Sequence, residues 1–328
     1  MKKLLPFLLI FLLVLTACGP KNEPQSSTSA DTTATTTGSQ ALTQTNEFVK
    51  TATLPFWTVT DPATGAKIYL LGSIHAARED LYPLPQAIMD AYNNSDYLVV
   101  EANIVTAEQD MALLVRCMEK MVYTNGSKIT SYISDELYQE AKKLLIQEGM
   151  YNITLDYMMP VMWATTIQNI WVEKSSLRSE LGVDRHFLTL AASDDKTIVE
   201  VESVEDQYAM LASFSPKLQE LFLSSSIQEP EIQVQELEEL YNVWLEGDLE
   251  KIEALSSEVD ESLTEEEQVL VEEYKQKLLY GRNSAMAQRA EAFLKEQKTC
   301  FFIVGAAHMA GETGVLAYLT EKGYQITE

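Results

Sequence analysis

Phe301-Phe302-Ile303-Val304-Gly305-Ala306-Ala307-His308 is the stretch whose reading decides the fold. Four consecutive apolar residues, Phe301 to Val304, predict a strand buried on both faces. The run breaks at Gly305, and His308 follows three residues later. Val315, Leu316 and Leu319 then mark one side of a helix that stops at Gly323. Strand, Gly-x-x-His, helix places the histidine just past the carboxyl end of a strand, where open α/β sheets carry their ligands. The same order occurs near the start of the chain, in Ile68-Tyr69-Leu70-Leu71-Gly72-Ser73-Ile74-His75.

Further strands follow from the same signals. Phe56–Thr60 and Lys67–Leu71 flank Asp61-Pro62-Ala63-Thr64-Gly65, a turn-rich connection that predicts a β-hairpin. Tyr97–Val100 runs into Glu101, Thr197–Val201 runs into Glu202, and Tyr324–Thr327 closes the chain. Between them the period is helical. Expected helices cover Pro83–Asn93, Thr106–Tyr123 (with Met111, Leu114, Val115 and Met118 as its buried face), Ser134 to Gly149, Leu155–Glu173 and Leu181–Ala192. Residues 204–298 read as almost wholly helical, punctuated by Pro216, Pro230, Gly247 and Gly281. The fold class is therefore mixed α/β: a central mixed sheet with an edge hairpin, covered by helices. The helical portions, about 106–193 and 204–298, form a large helical subdomain.

Residues 1–18 read as an address rather than as fold. Lys2 and Lys3 precede an apolar run, Leu4–Leu15, too short for an ordinary membrane span. Leu15-Thr16-Ala17-Cys18 has the form of a bacterial lipobox, which predicts cleavage before Cys18 and its lipidation. The expected location is the outer face of the cell membrane, held there by acyl chains. Residues 19–46 are mostly Ser, Thr, Gln, Ala and Asn, the composition of a flexible tether. Residues 47–328 supply the folded domain. The formal charge of −25 excludes a nucleic-acid partner, because neutralising phosphate takes Lys and Arg in excess. Glu229 to Glu273 contains 17 acidic residues and one lysine, Lys251, and reads as solvated helix faces, with divalent-cation buffering as the sharper alternative. Cys117 and Cys300 are read either as a disulfide or as two buried thiols.

Four strands thus end on a potential ligand: His75, Glu101, Glu202 and His308. A sheet holds strand-end side chains from distant segments close together. Two imidazoles and one or two carboxylates suit a divalent transition metal, with manganese, cobalt and zinc as candidates. His75, His308 and Glu101 are the expected metal ligands, and Gly72 and Gly305 would let the backbone approach the site closely. A bound ion would lower the pKa of water, and a second carboxylate would act as general base. That base is Glu202, or Glu200 or Glu205 beside it. His186, the third histidine, reads as a helix-packing or surface residue. No Gly-x-Ser-x-Gly elbow, His-Glu-x-x-His, P-loop or dinucleotide fingerprint is present.

In order along the chain, Leu-Gly-Ser-Ile-His (71–75), Val-Val-Glu (99–101), Glu-Leu-Gly-Val-Asp (180–184), Val-Glu-Ser-Val-Glu-Asp-Gln (201–207), Trp-Leu-Glu-Gly-Asp (244–248), Arg282-Asn283 and Val-Gly-Ala-Ala-His-Met-Ala-Gly (304–311) resemble the TraB/GumN family, related to the Tiki-type extracellular metalloproteases. The resemblance implies a paired Gly-x-x-His fold with His75 and His308 at a metal site and Glu101 as their carboxylate partner. For the Tiki branch it also implies manganese or cobalt dependence and peptide-bond cleavage. Arg282 and Asn283 match a pair expected to bind a substrate carboxylate or an oxyanion. Ser73 stands where threonine is more usual, and 208–280 matches only in places. Two functions are carried forward: a metal-dependent hydrolase, as a peptidase acting on a peptide or protein, and a lipoprotein that sequesters a peptide or small ligand without turnover.

Overall fold

The computed structural model describes residues 53–227, 229–257 and 263–328. The expected signal segment 1–18, Cys18 and the 19–46 tether lie outside these residues.

Chain order gives β1 (Phe56–Thr60), β2 (Lys67–Ser73), α1 (Gln86–Asn93) and β3 (Tyr97–Val100). Next come a helical turn at Ile104–Ala107, then α2 (Met111–Lys120), α3 (Asp135–Gln147), α4 (Pro160–Lys174) and α5 (Val183–Ser193). After β4 (Thr197–Glu200) follow α6 (Val204–Ala212), α7 (Pro216–Ser226), α8 (Pro230–Glu246), α9 (Leu249–Ser257) and α10 (Glu265–Lys275). A π-helical turn, Gln276–Tyr280, leads into α11 (Gly281–Lys295). The chain closes with β5 (Cys300–Gly305), a short turn at Ala306–Met309, α12 (Val315–Glu321) and β6 (Gln325–Thr327).

One six-stranded sheet has the order β4-β3-β5-β2-β1-β6. The four strands β4, β3, β5 and β2 are parallel, while β1 is antiparallel to both β2 and β6. The sheet is mixed, as expected; the terminal strand β6, rather than the hairpin, forms its outermost edge. The last parallel strand, β5, inserts between the first two, β2 and β3. Its register sets Gly72 opposite Val304 and Ser73 opposite Gly305. Both Gly-x-x-His segments therefore leave adjacent strands at the same level and on the same end of the sheet.

β5 shows why its run is apolar throughout. Phe301 and Ile303 face the larger core, under α1, α5 and the helical subdomain. Cys300, Phe302 and Val304 face the smaller core, with Met286, Ala287, Ala290 and Leu294 of α11 and Val315 and Leu319 of α12. A strand covered on both faces has no polar position to spare. Cys117 and Cys300 are buried free thiols, which removes the disulfide reading.

The helical subdomain is built around α4, buried on nearly every side from Pro160 to Val172. It packs on α7 and α8. Two of its tryptophans find acceptors for their indole N–H groups, Trp163 on Leu155 O at 2.8 Å and Trp171 on Ser226 O at 2.8 Å. Satisfied donors let such large rings be buried fully.

Several expected helices differ in detail. Thr106–Tyr123 is interrupted, because the Asp110 side chain accepts from Ala112 N and Leu113 N and starts a new helix there. That start turns Leu114 and Cys117 inward and leaves Met111 and Val115 exposed, against the expected buried face. Leu155–Glu173 opens as a 3-10 turn at Ile153–Tyr157, and its helix begins at Pro160, whose fixed φ suits the first helical position. Gly281 is not a break: the helix passes through it by widening into a π turn. Gly247 does end α8, in the left-handed region at φ 67°. Among the described residues no helix is long and apolar enough to cross a membrane.

Trp163→Ala removes the ring at the centre of the helical subdomain and the indole N–H bond to Leu155 O, which keeps the Met158 N–H as its donor. A loss of roughly 3–5 kcal/mol is expected, read as a lowered urea midpoint for the domain.

Candidate functional site

The site lies where β2, β3 and β5 end. A methyl group placed on Gly305 would sit 3.3 Å from Glu101 Oε1, 3.6 Å from His308 Cδ2 and 3.8 Å from His75 Nε2. Three side chains from three strands thus converge on one point of backbone, and only glycine leaves that space open. The glycine serves close approach; its φ is −50°. Gly72 has a similar role on the neighbouring strand, with Ala306 Cα 3.0 Å from where its Cβ would be.

Each histidine is fixed through Nδ1, with Nε2 turned toward this space. His308 is buried, and its Nδ1 lies 2.6 Å from Asn283 Oδ1. Asn283 donates its amide nitrogen to Thr313 O at 3.1 Å, which assigns its oxygen to the histidine. The His308 Nδ1 therefore carries the proton, and Nε2 carries a lone pair. Burial and the Arg282 charge push its pKa down to about 3, so the ring is neutral.

His75 is held by a carboxylate instead. Its Nδ1 is 2.7 Å from Asp184 Oδ2, while Ser73 Oγ donates to Asp184 Oδ1 at 2.8 Å. Burial opposes protonation of His75, but the Asp184 carboxylate outweighs it and raises the pKa to about 9. The His75 side chain remains 27% exposed, against 4% for His308. One imidazole edge is thus open to solvent and the other is sealed.

Glu101 stands between the two rings. Its Oε1 accepts from Gly305 N at 2.7 Å and is 3.7 Å from His308 Nε2. Its Oε2 accepts from Arg282 Nη2 at 2.5 Å. Burial alone would raise this carboxyl, but Arg282, the two histidines and the Gly305 N–H lower it to about 2. Arg282 also grips Glu202 through Nε and Nη2, and its Nη1 donates to Leu278 O at 3.1 Å. Gln207 Nε2 completes the cluster, 2.9 Å from Glu202 Oε1 and 3.4 Å from Glu101 Oε2.

The expected residues are therefore brought together, in unequal roles. His75, His308 and Glu101 face the common space. Glu202 joins them through Arg282 Nη2 and Gln207 Nε2, which contact both glutamates. Glu200 instead accepts from Asn103 N, and Glu205 pairs with Arg116 and Lys120 at the surface. Arg282 binds two carboxylates of its own chain, and Asn283 binds His308 and Thr313 O. His186 stacks on Tyr82 with centroids 4.5 Å apart and packs on Phe187, away from the space over Gly305. Asp184, Ser73 and Gln207 are the residues that sequence reasoning left without a role. Their signal lay in the 71–75, 180–184 and 201–207 segments, whose polar residues had no assigned partners.

The donor set fits a divalent transition metal once His75 gives up its Nε2 proton: a neutral, buried imidazole whose Nε2 lone pair faces Glu101, a second imidazole backed by a carboxylate, and an ionised glutamate. Outer partners on Nδ1 are what ligating histidines ordinarily have. Among the described residues, however, no three His, Cys, Asp or Glu side chains stand at the spacing of a ready-made metal cage.

The family described as TraB/PrgY/gumN matches residues 55–328. The chain is 30% identical over 151 residues to the uncharacterized protein YbaP of Escherichia coli (strain K12), covering 45% of this chain and 53% of that one. It is 26% identical over 310 residues to the metalloprotease TIKI2 of Xenopus tropicalis, covering 79% of this chain and 57% of the relative. With the metalloprotease TIKI1 of Danio rerio it shares 25% over 315 residues, covering 82% and 62%. The chain thus spans little more than half the length of the curated relatives it matches. No solved structure matches. With the family match running from the first strand to the last residue, the chain belongs to the TraB/PrgY/gumN family.

Proposed function

We propose that the chain is a metal-dependent hydrolase, a peptidase, in which His75, His308 and Glu101 hold a divalent ion. The observation that carries this reading is the convergence of His75 Nε2, the His308 ring and Glu101 Oε1 over Gly305. The metalloprotease relatives, aligned over most of this chain, support the reaction class and a protein or peptide substrate. A bound ion would supply Lewis acidity and a more acidic water.

The chain's own residues have distinct tasks in that reading. Asn283 keeps the His308 proton on Nδ1, so the Nε2 lone pair is available without deprotonation. Arg282 keeps Glu101 ionised, which suits it to donate to a cation rather than to take up a proton at neutral pH. A further carboxylate of the cluster, Glu202, is engaged by Arg282 and Gln207. For Glu202 to accept a proton from water, one of those bonds must open. Each Arg282 nitrogen already holds a bond within the chain, and its positive charge would favour a developing oxyanion. Upstream of this domain, the Leu15–Cys18 segment supports lipidation at Cys18 and attachment to the outer face of the membrane, with residues 19–46 as the tether.

Three measurements test this. With residues 46–328 loaded with manganese, cobalt or zinc, His75→Ala and His308→Ala are each expected to weaken metal binding by more than about 100-fold, beyond the usual cost of losing an outer partner. Both should abolish cleavage in a peptide library. Wild-type affinity in both variants removes the site assignment, while metal binding without turnover by wild type favours the sequestering reading.

Arg282→Ala leaves two buried carboxylates uncompensated and is expected to cost roughly 3–5 kcal/mol at neutral pH. Arg282→Lys should recover little, because one ammonium lacks the fork that spans both glutamates. The folded-state pKa of Glu101 lies below its usual 4.5, at about 2. Its contribution to wild-type stability is thus present above pH 4.5 and lost as pH falls toward 2. Denaturant midpoints followed from neutral pH down to about pH 2 should show that acid loss in wild type, and a smaller one in Arg282→Ala.

Cys18→Ser in the full chain is expected to move the protein from the membrane fraction to the soluble fraction and to end its labelling by a fatty-acid probe. Unchanged labelling would show that the lipid is elsewhere.

A further inference from the structure

The 181–184 turn is docked on the backbone of the His75 segment at several points. Val183 N donates to Ile74 O at 2.9 Å, and Tyr82 Oη donates to Leu181 O at 2.7 Å. Gly182 lies so close that a Cβ there would stand 2.3 Å from His75 O. This clamp delivers Asp184, which is buried, to His75 Nδ1 across 109 positions of sequence. Asp184 also occupies the first turn of α5, where the aligned backbone N–H groups favour an anionic side chain.

The two histidines are therefore backed differently. A neutral amide, Asn283, orients His308. A carboxylate held from its other side by Ser73 orients His75, the more exposed of the pair. An amide suffices to fix a ring, as His308 demonstrates. The negative charge at Asp184 must then do something besides orientation: it raises the electron density that the imidazole offers through Nε2.

We infer that Asp184, with Ser73, is a positioning and tuning residue for His75, making it the stronger donor of the two imidazoles toward a divalent cation. This rests on the metal-binding reading given above. Asparagine at 184 isolates the charge, because its oxygen can still accept from His75 Nδ1 and its amide can donate to the Ser73 hydroxyl. Alanine removes both geometry and charge.

Cobalt(II) titration of residues 46–328 tests the inference, with affinity and the visible absorption of the bound ion as readouts. Asp184→Ala is expected to weaken cobalt binding about 10–100-fold and to change the absorption spectrum. Asp184→Asn should fall between Ala and wild type, and Asp184→Glu should recover some of the loss. Ser73→Ala, which keeps the carboxylate, should weaken binding only a few-fold; it carries the test should Asp184→Ala fail to fold. Cobalt affinity within about two-fold of wild type in both Asp184→Asn and Asp184→Ala, with an unchanged spectrum, would overturn the inference and leave the metal reading intact. An Asp184→Asn variant equal to wild type beside a weakened Asp184→Ala would overturn the tuning role. No cobalt binding by wild type removes the metal reading and this inference together.

Discussion

An ionised carboxylate buried at the end of a sheet is unstable unless its charge is answered, and Glu101 is such a group. Its answer comes from the Arg282 guanidinium on one oxygen and the Gly305 N–H on the other. These contacts tie three regions to one point: the end of β3, the turn after β5, and the start of α11. Glu202 adds the end of β4, because Arg282 reaches it too. The histidines then take their places around an anion already fixed. Were Glu101 neutral, Arg282 would lose one of its two anionic partners, and the Gly305 N–H would keep only a weaker, uncharged acceptor.

Much of this was legible in the sequence. β5 is a continuous apolar run because both of its faces are covered, and β2 shows the same exit at glycine before its histidine. The ends of β3 and β4 announced themselves by glutamates directly after β-branched or apolar residues. Strand order was not legible. Nothing in Cys300–Gly305 says that it inserts between β2 and β3; that order comes from which faces must be covered and from the helices that cover them. The expected single helix over Thr106–Tyr123 failed for a local reason, since Asp110 competes for the backbone N–H groups and restarts the helix.

Pairing across long separations was the other hidden element. Asp184 stood in the sequence only as the last residue of the Glu-Leu-Gly-Val-Asp segment, and the docking of that turn on His75 gives it a partner. The expectation that Arg282 and Asn283 face a substrate carboxylate or an oxyanion rests only on their match to a family pair. In the folded chain each has a prior claim from a neighbour in the same domain. The acidic stretch from Glu229 to Glu273 did read correctly where it is described as helix: apart from Gln233 its buried positions, among them Leu237, Tyr241, Trp244, Val271 and Tyr274, are apolar or aromatic, and most of its acids lie outward.

The π turn at Gln276–Tyr280 has a geometric consequence for these neighbours. Along α10 the buried stripe runs through Val271 and Tyr274 to Leu278 and Leu279, and a regular helix would carry it from Leu278 on to residues 281 and 282. The widened turn shifts the stripe by one residue, so that α11 continues it through Asn283, Met286 and Ala290. Arg282 and Asn283, though consecutive, thereby serve opposite halves of the site, one gripping the glutamates and the other steadying His308. Their spacing is a matter of helical phase: dropping one residue from the turn would rotate one side of the helix against the other by about 100°. The two halves are thus indexed to each other by a single extra residue, much as a keyway sets the angle of a wheel on its shaft.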